Sequence, residues 1–512
     1  MPAEPSPSDA AGSHRTDRAW AGVLGVAIVL TAVHQVRWAI LPAPTTIMGR
    51  AVADDGFYYL VLAQHAPRPW FAADVLTTGF HPLWWLLLAG PAHILHGFAL
   101  VRFALALGLA LHLASAVLLY RALRVRRPAS VAAIAASLWV VLPGVRALAL
   151  IGVEAPLLGF ALAALLLAIE RTRERADARA AALVGALVGV CYLARTDSIV
   201  VTVPLAAAWA WGRRGAVAPV VRRRSLGALA GGALVVAAPW LAYLATRGSL
   251  LASDAARAER RGSTWAGFVA VEHRVPLQAL WLNGVDDLST RFGQRPLHWL
   301  LLALVLLAVA ALVAERPRGT VALVGIGATA VLYVLYGAVG GYLREWYLLY
   351  LQFALCAFAV PALVRSVREP FRVAIAALVL PALLLVPNRA LHPNEADKDR
   401  VARAASVLLP ADARIGAFNA GIYQWAMRQD VVNLDGVVNP DVQAPLRAGH
   451  LCRYLAAHRI DHLIDAEGYL ERARAADPSL RFTATTDLSA RVGLPPDAER
   501  QLLVDVDLTA CR

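Results

Sequence analysis

Apolar runs of about 16 to 23 residues recur along the first 390 positions, and short arginine-rich stretches separate them. A helix in a bilayer satisfies its own backbone hydrogen bonds, and about 20 apolar residues are enough to cross the hydrocarbon core. The chain is 59% apolar and 17% charged, whereas ordinary soluble domains have roughly 45–50% and about 25%. The sequence therefore argues against a soluble enzyme and predicts a mainly α-helical, multi-pass membrane protein.

We predict eleven transmembrane helices with a cytoplasmic N-terminus. An odd number places the C-terminal tail outside and the five arginine clusters inside, as the positive-inside rule requires. These clusters lie within 121–127, 171–179, 213–224, 316–318 and 365–372. The net charge of +13 then reflects topology, so no nucleic-acid partner is predicted. The predicted spans are 19–41, 98–120, 129–147, 153–170, 180–195, 198–212, 225–246, 297–315, 320–340, 346–366 and 371–388.

The same topology divides the chain into three parts. Residues 1–18 are expected to form a disordered cytoplasmic N-terminus, and residues 19–389 the transmembrane domain. Its first outside loop, 42–97, is predicted to contain juxtamembrane helices because the segment 82–97 is short and interrupted by a proline. Its second outside loop is 247–296.

The tail, 390–512, differs from the rest of the chain. The strand-like segments DARIGAFNAG, DVVNLDG and DHLID alternate with helix-like stretches. This alternation predicts a small extracytoplasmic α/β domain. Cys452 and Cys511 lie in this tail and are able to pair only in an oxidising compartment.

Two adjacent carboxylates lie in the first outside loop. Asp54 and Asp55 precede the aromatic stretch 56–59, and His81 follows in the segment GFHPLWW. Carboxylates beside lipid are costly unless they cap a helix or perform chemistry. From the residues alone, a helix cap with an interfacial aromatic belt and a catalytic role both stay open.

This pattern resembles the membrane-embedded GT-C glycosyltransferases that use polyprenyl-phosphate sugars, the group with the protein O-mannosyltransferases and lipid A aminoarabinose transferases. The resemblance rests on the acidic pair after the first span, the aromatic helix and the His-Pro-Leu-aromatic stretch. It covers the first seven spans best. It implies that Asp54 is the general base or a metal-proximal carboxylate, with Asp55 as second choice. His81 is expected near the acceptor or a metal.

Three residues between the second and sixth spans occupy positions where that family carries site residues. The resemblance implies that Arg102 and Arg195 bind the donor phosphate, and that Glu154 lies near the acceptor or a metal. Plainer alternatives stay open. Arg102 is also suited to snorkelling or ion pairing, Glu154 to a solvated turn, and Arg195 to pairing with Asp197 at the tip of a hairpin.

The second outside loop carries seven arginines, although translocated loops usually carry few. The stretch RGSLLASDAARAER within it resembles the family's loop after the seventh span. Arg257 and Arg260 are therefore predicted to bind the donor phosphate, and Arg344 at the start of the tenth span is a secondary candidate. A solvated loop surface is the alternative for this loop.

Together these residues imply a glycosyltransferase that moves a sugar from a polyprenyl-phosphate donor to an extracytoplasmic glycan, lipid or protein acceptor, with inversion. Asp54 is expected to deprotonate the acceptor while the arginines stabilise the departing phosphate. No organic cofactor is predicted, and a divalent cation, Mg²⁺ or Mn²⁺, is left open.

A different class of function also fits a multi-pass chain. A transporter, a flippase or a polysaccharide assembly protein without transferase chemistry is the alternative to the enzyme. The enzyme is favoured because the spans show no obvious inverted repeat and the polar candidates gather at one predicted membrane face. The expected location is the inner membrane of the cell, with the C-terminal domain outside.

Overall fold

The structure is a computed structural model, and it describes residues 7–40, 52–72, 75–175, 177–211, 219–248, 310, 313, 320–338, 345–385 and 394–511. Up to residue 385 the described elements are helical. The helices, in chain order, are α1 Pro7–Ile40, α2 Asp54–Gln64, α3 Pro82–Ala92, α4 Phe98–Arg124, α5 Ala129–Val141, α6 Pro143–Leu148, α7 Ala155–Thr172, α8 Ala178–Ala194, α9 Ile199–Trp211, α10 Pro219–Thr246, α11 Thr320–Ala338, α12 Leu349–Ala354, α13 Val360–Arg365 and α14 Glu369–Leu385.

Ten of the eleven predicted spans overlap these helices, although the span 129–147 is divided at Leu142 between α5 and α6, and the span 297–315 lies almost wholly outside the described residues. By length and composition, five described helices are able to cross a membrane: Thr16–Val36, Phe98–Arg124, Ala155–Thr172, Arg223–Thr246 and Trp346–Arg365. The remaining apolar helices are shorter. The chain is thus a multi-pass membrane protein, and the count of eleven stays a prediction.

The first helix begins earlier than the sequence indicated. α1 starts at Pro7 and so runs through part of the segment 1–18, for which disorder was expected. Once an apolar span has nucleated a helix, each further residue adds one hydrogen bond at little cost, so the helix extends into polar sequence.

Small residues bring α8 and α10 into close contact. A Cβ atom on Gly185 would collide with the backbone carbonyl of Leu229, and one on Gly189 would lie 2.7 Å from the carbonyl oxygen of Ala233. Helices in lipid associate through such close backbone packing because lipid offers no hydrophobic driving force between them. The sequence therefore joins these two helices through glycines spaced four residues apart.

The two helices of the first loop pack against the turn before α7. The backbone N–H of Ala53 donates to the carbonyl of Ile151 at 3.1 Å, and the indole of Trp84 donates to the carbonyl of Gly152 at 3.0 Å. On the other side of the loop, Tyr243 of α10 donates to the carbonyl of Thr77 at 2.7 Å. These bonds fix α2 and α3 against the ends of the longer helices.

Residues 394–511 form a five-stranded sheet with helices. The elements are α15 Glu395–Leu408, β1 Arg414–Ala417, α16 Ala420–Ala426, β2 Asp430–Asn433, α17 Gln443–Ala448, α18 Leu451–Ala457, β3 His462–Ala466, α19 Glu467–Ala476, β4 Phe482–Asp487, α20 Leu488–Arg491 and β5 Gln501–Val506.

The strand order is β2-β1-β3-β5-β4. Strand β1 pairs in parallel with β2 and β3, which are the three strands that the sequence indicated. Strand β5 then pairs antiparallel with both β3 and β4, so two further strands extend the expected β-α-β-α-β unit. A small C-terminal α/β fold is therefore present, whereas the domain boundary at 390 stays a prediction.

A disulfide joins Cys452 in α18 to Cys511, across a sequence separation of 59 residues. Disulfides form and persist in oxidising compartments. Cys191 and Cys356 are free and buried. The pairing fits the predicted location of the tail outside the cytoplasm.

Candidate functional site

Glu154 lies directly before α7, where the helix dipole favours a negative charge. Its side chain is only 4% exposed. One carboxylate oxygen, Oε1, accepts a hydrogen bond from Nη1 of Arg195 at 2.7 Å, and Oε2 accepts one from the Tyr59 hydroxyl at 2.8 Å. Both oxygens of this buried carboxylate therefore have partners, which offsets the cost of removing it from water.

Arg195 ends α8 by taking an extended backbone conformation, and the short 3₁₀ turn Thr196–Ser198 then leads into α9. Within that turn, Asp197 accepts from Nε of Arg195 at 3.1 Å and from Nη2 at 2.8 Å. This two-pronged contact is the strongest geometry for an arginine and a carboxylate. Arg195 is thus paired with Asp197 and with Glu154 at once, and its side chain is 3% exposed.

The candidate span that begins at Trp346 contributes two aromatic residues to this group. The hydroxyl of Tyr350 donates to Oδ1 of Asp197. The ring of Tyr347 lies under the guanidinium of Arg195, with 4.6 Å between the ring centroid and Cζ. The two charged residues after α8, Arg195 and Asp197, are therefore held by side chains of the candidate span Trp346–Arg365.

Tyr59 and His81 complete the group on the side of the first loop. The Tyr59 hydroxyl accepts from the backbone N–H of His81 at 3.3 Å, and Nε2 of His81 lies 3.6 Å from Oε1 of Glu154. Burial raises the pKa of Tyr59 well above its usual value, and the charge of Glu154 raises it further. Tyr59 therefore keeps its proton and remains a hydrogen-bond donor. We call Glu154, Arg195, Asp197, Tyr59, His81 and Tyr350 the Glu154 cluster.

Asp54, the first residue of α2, contacts the C-terminal domain. Its Oδ1 accepts from the backbone N–H of Ile422 at 2.9 Å, and the side chain is buried. The neighbouring Gly421 permits this approach, because a Cβ at that position would collide with the backbone carbonyl of Asp54. Asp54, the residue expected to be the base, therefore lies where α2 of the first loop contacts α16.

Three charged residues of the C-terminal domain are buried near Asp54. Lys398 lies 3.3 Å from Oε1 of Glu395. Burial by itself lowers the pKa of Lys398, but the charges of Glu395, Asp54 and Asp465 outweigh burial and raise it. Burial also raises the pKa of Glu395 to about 7, against the effect of Lys398 and with a contribution from Asp54. We call Asp54, Glu395, Lys398 and Asp465 the Asp54 cluster.

Asp465, at the end of β3, connects this cluster to the loop after β1. Its Oδ2 accepts from the backbone N–H groups of Phe418 and Asn419 at 2.7 and 2.9 Å. Burial raises the pKa of Asp465, although these hydrogen bonds and Lys398 act in the opposite direction. The carboxyl ends of the parallel strands thus face the same region as Asp54.

Helix α2 separates the two clusters. Asp54 and Tyr59 are five residues apart, which corresponds to about 7.5 Å along the helix and about 140° around it. The Tyr59 side contacts the Glu154 cluster, whereas the Asp54 side contacts the C-terminal domain. The sequence-predicted residues therefore occupy two neighbouring groups, bridged by one short helix.

The predicted residues divide into four sets. Glu154, Arg195 and His81 lie together, while Asp54 lies across α2 with Asp55 next to it. Asp55 is partly exposed, and its charge acts on Glu395. Arg102 is partly buried near the start of α4. Arg257, Arg260 and Arg344 lie outside the described residues. The catalytic and binding roles of all these residues stay predictions.

The described residues contain no group of three or more His, Cys, Asp or Glu side chains arranged to hold a metal ion. The pair of Glu154 and His81 offers one oxygen and one nitrogen. Mg²⁺ takes near-octahedral coordination dominated by oxygen. This pair alone does not fit such an ion.

Sequence reasoning missed the polar residues that support the site. Tyr350, Glu395 and Asp465 were not singled out, and only their distant contacts give them a place in the two clusters. Lys398 had a signal, because it is the single lysine in a chain whose other basic residues are arginines. A lone lysine among arginines is a candidate for a position that a guanidinium does not fit.

The fold of this chain, with its helices and C-terminal sheet, is similar to the folds of solved structures of ArnT and of an oligosaccharyltransferase. Two solved structures of ArnT from Cupriavidus metallidurans are similar to this chain. The apo structure has 14% sequence identity and a TM-score of 0.54, and the match covers 96% of this chain and 99% of ArnT.

The ArnT structure bound to undecaprenyl phosphate has 15% identity and a TM-score of 0.52, with 94% and 97% of the two chains covered. The oligosaccharyltransferase of Archaeoglobus fulgidus in its apo form is similar over 87% of this chain and 69% of its own, with 15% identity and a TM-score of 0.50. Neither a protein-family model nor a curated protein matches the sequence.

Proposed function

We propose that this protein is a membrane glycosyltransferase that transfers a sugar from a polyprenyl-phosphate donor to an extracytoplasmic glycan, lipid or protein acceptor. The observation that carries the proposal is the buried Glu154 cluster, which lies beside α2 and hence beside Asp54. A buried group of acids, arginine and tyrosines is costly for stability alone. The shared fold with ArnT, solved with undecaprenyl phosphate, supports the class of donor.

In the proposed reaction Asp54 is the general base. Its Oδ1 is held by the N–H of Ile422, so Oδ2 takes the proton of the acceptor hydroxyl. The acceptor oxygen attacks the anomeric carbon, and the bond between that carbon and the phosphate oxygen breaks. The phosphate leaves with the electron pair, and the configuration inverts in a single displacement. Asp55 is the second choice for the base.

The leaving phosphate requires positive charge that the Glu154 cluster does not supply in full. Arg195 already faces two carboxylates, of which Asp197 is the more exposed at 20% against 4% for Glu154. We propose that the phosphate meets Arg195 on the side of Asp197. Arg257, Arg260, Arg102 and Arg344 then provide the remaining positive charge, and Glu154 with His81 orients the acceptor.

The aromatic contact between the first loop and α10 is suited to the prenyl tail. Phe80 packs edge-on against Trp240 at 5.1 Å between ring centroids, and Trp240 stacks on Tyr243 at 5.3 Å. Aromatic rings of this kind concentrate at the level of the lipid headgroups. A lipid tail beside them would leave its phosphate near the Glu154 cluster, which is the order that the proposed reaction needs.

We further propose that the Glu154 cluster and the C-terminal domain lie on the extracytoplasmic side of the inner membrane. The disulfide between Cys452 and Cys511 supports this orientation, because disulfides persist in oxidising compartments. The arginine clusters lie at the C-terminal ends of α4 and α7, whereas Glu154 lies at the N-terminal end of α7. These clusters fit the cytoplasmic side.

The test is release of free polyprenyl phosphate by the purified protein in nanodiscs, supplied with a panel of polyprenyl-phosphate sugars and lipid extract as acceptor. The variant Asp54→Asn keeps an oxygen that accepts from Ile422 but removes the base. We expect wild-type protein to release polyprenyl phosphate from at least one donor, and D54N to lose at least about 100-fold of that rate.

Asp177→Asn is the matched control, because Asp177 caps α8 at the end far from the site and asparagine caps equally well. Near-normal turnover by D54N would remove Asp54 from the mechanism. A flippase moves its lipid without breaking the sugar–phosphate bond. Transport of intact donor, without release by any variant, would therefore favour that alternative. Activity that survives exhaustive chelation would exclude a required divalent cation.

A further inference from the structure

A second polar site lies at the opposite ends of the helices from the Glu154 cluster. A cavity of about 310 Å³ opens where α4, α7 and α13 end and α11 begins. This volume is at the lower end of the range found for ligand pockets. The Glu154 cluster lies at the other end of α7, so the two sites are separated by the length of that helix.

The mouth of the cavity is strongly basic. Four arginines line it against one glutamate: Arg126, Arg127, Arg173, Arg365 and Glu170. Glu170 pairs with Arg126 at 2.9 Å and lies 3.7 Å from Arg173. Glu174, which does not line the cavity, lies 3.3 Å from Arg126. The ends of three helices add partial negative charge here, which arginines normally offset. Four guanidinium groups nevertheless leave the mouth with a net positive charge.

The depth of the cavity is apolar and built by an irregular helix. Ala322 of α11, with Ala357 and Phe358, lines it, and the last two belong to the single π-helical turn Leu355–Ala359 between α12 and α13. Gly325 makes room for the ring of Phe358, which a side chain at that position would displace. Such π turns cost stability and are frequent at functional sites.

We propose that this cavity binds an anionic phospholipid of the cytoplasmic leaflet, with its phosphate among the arginines and one acyl chain against the apolar wall. Charge complementarity selects the headgroup, and the apolar depth selects a lipid over a soluble phosphate. Basic pockets between transmembrane helices on the cytoplasmic side suit such headgroups. The site holds a lipid for structural or regulatory purposes and is distinct from the donor site that the proposed function requires.

Native mass spectrometry of the purified full-length protein, delipidated in detergent, tests this proposal. The probes are phosphatidylglycerol, phosphatidylcholine and inorganic phosphate. We expect wild-type protein to retain phosphatidylglycerol over phosphatidylcholine. In Arg127→Gln/Arg365→Gln the apparent affinity for phosphatidylglycerol should fall about tenfold or more, because each arginine near a lipid headgroup contributes about 1 kcal/mol.

Arg121→Gln/Arg368→Gln is the charge-matched control, because both arginines are exposed near the same helix ends but do not line the cavity. Ala322→Trp fills the apolar depth without changing charge and should also reduce lipid retention. Ala330→Trp, on the exposed face of the same helix, should not. This pair keeps the test valid if the arginine variants fold poorly.

Three results would overturn the proposal. The first is wild-type retention of phosphatidylglycerol by the double arginine variant. The second is equal retention of phosphatidylcholine, which would make charge irrelevant. The third is displacement of the lipid by inorganic phosphate at equal concentration, which would make the cavity a site for a soluble anion. The assay measures no sugar transfer, so its outcome is independent of the proposed function.

Discussion

At the scale of single residues, the Tyr59 hydroxyl connects the first loop to Glu154. Tyr59→Phe removes this hydroxyl, leaving Oε2 of Glu154 and the N–H of His81 without that partner. We expect a loss of about 1–3 kcal/mol in stability and reduced transfer activity. Thermal unfolding in detergent, together with release of polyprenyl phosphate, measures both. Tyr192→Phe is a control because Tyr192 makes neither contact; equal effects of the two variants would contradict this role.

The guanidinium of Arg195 offsets the free-energy cost of burying the carboxylate of Glu154. Arg195→Gln leaves that carboxylate, with a side-chain exposure of 4%, without its guanidinium. Breaking a buried pair in this way costs about 3–5 kcal/mol, so a large drop in the unfolding temperature is expected. Arg500→Gln breaks a pair with Glu467 in which both side chains are exposed, at 51% and 38%, and such exposed pairs contribute little to stability. Similar drops in unfolding temperature for the two variants would contradict the expected difference between a buried and an exposed ion pair.

The individual acids and arginines were predictable where the sequence puts a charge beside an apolar run. Glu154 and Arg195 stand at such positions but were singled out through the family resemblance, and they contact each other across 41 positions. The pairing of Arg195 with Asp197 was expected as an alternative, whereas Tyr350 was not predictable, because it meets Asp197 across 153 positions. The contact of Asp54 with Ile422 spans 368 positions. No local pattern encodes such pairs, since they follow from how helices pack rather than from spacing.

At the scale of elements, the long apolar runs located the helices well, because a span must be both apolar and long enough to cross the bilayer. The short helix α3 within 82–97 was likewise expected. The indole N–H of its Trp84 donates to the carbonyl of Gly152 and anchors the helix there. Strand β4 escaped notice because its middle is polar and exposed, as an edge strand's often is. Strand β5 is apolar, but its antiparallel place beside β3 depends on a return of the chain that no spacing indicates.

Helix α15 should respond to pH through Glu395. The pKa of Glu395 is about 7 in the folded protein against 4.5 for an ordinary glutamate, chiefly through burial. The folded state therefore binds a proton that the unfolded state releases between these values. Stability should fall as pH rises from about 4.5 to 7 and then level off. Amide hydrogen exchange along α15 in the full-length protein, followed against pH, measures this slope.

Glu395→Gln should remove that slope and make α15 more protected from exchange at pH 8 than in wild type. Lys398 would still face Asp54 and Asp465. Glu471→Gln, at an exposed position of α19, is the control and should leave the slope unchanged. An unchanged slope in E395Q would assign the pH dependence to another group.

At the scale of the whole molecule, the proposed topology predicts which positions meet which side of the membrane. A cysteine at Arg175, exposed between α7 and α8, should react with an impermeant maleimide only after the cells are permeabilised. A cysteine at Ala475, exposed in α19, should react in intact spheroplasts. The native background is expected to be low, because Cys191 and Cys356 are buried and the other two cysteines are paired. Reaction of both positions from the same side would reject the topology.

The two halves of the molecule are joined at the place where chemistry is proposed. Asp54 belongs to the first loop, yet its hydrogen-bond donor and the nearby Lys398 come from residues after 394. Its neighbour on the same helix, Tyr59, bonds to the membrane helices instead. Changes in the packing of the C-terminal domain are therefore expected to act on Asp54 directly, and activity should depend on that domain even though it spans no membrane.

The position of β5 has a consequence for biosynthesis. This strand is the last of the five to be made, yet it lies between β3 and β4 and supplies the pairing for both. Until it is translocated, β3 presents an open edge and β4 has no neighbour. The backbone N–H of Ile422, which donates to Asp54, thus belongs to a domain whose sheet is completed only late in synthesis. A nascent chain would carry its membrane helices in place for some time before the site beside α2 is complete, so the proposed transfer reaction would begin only after β5 has joined the sheet.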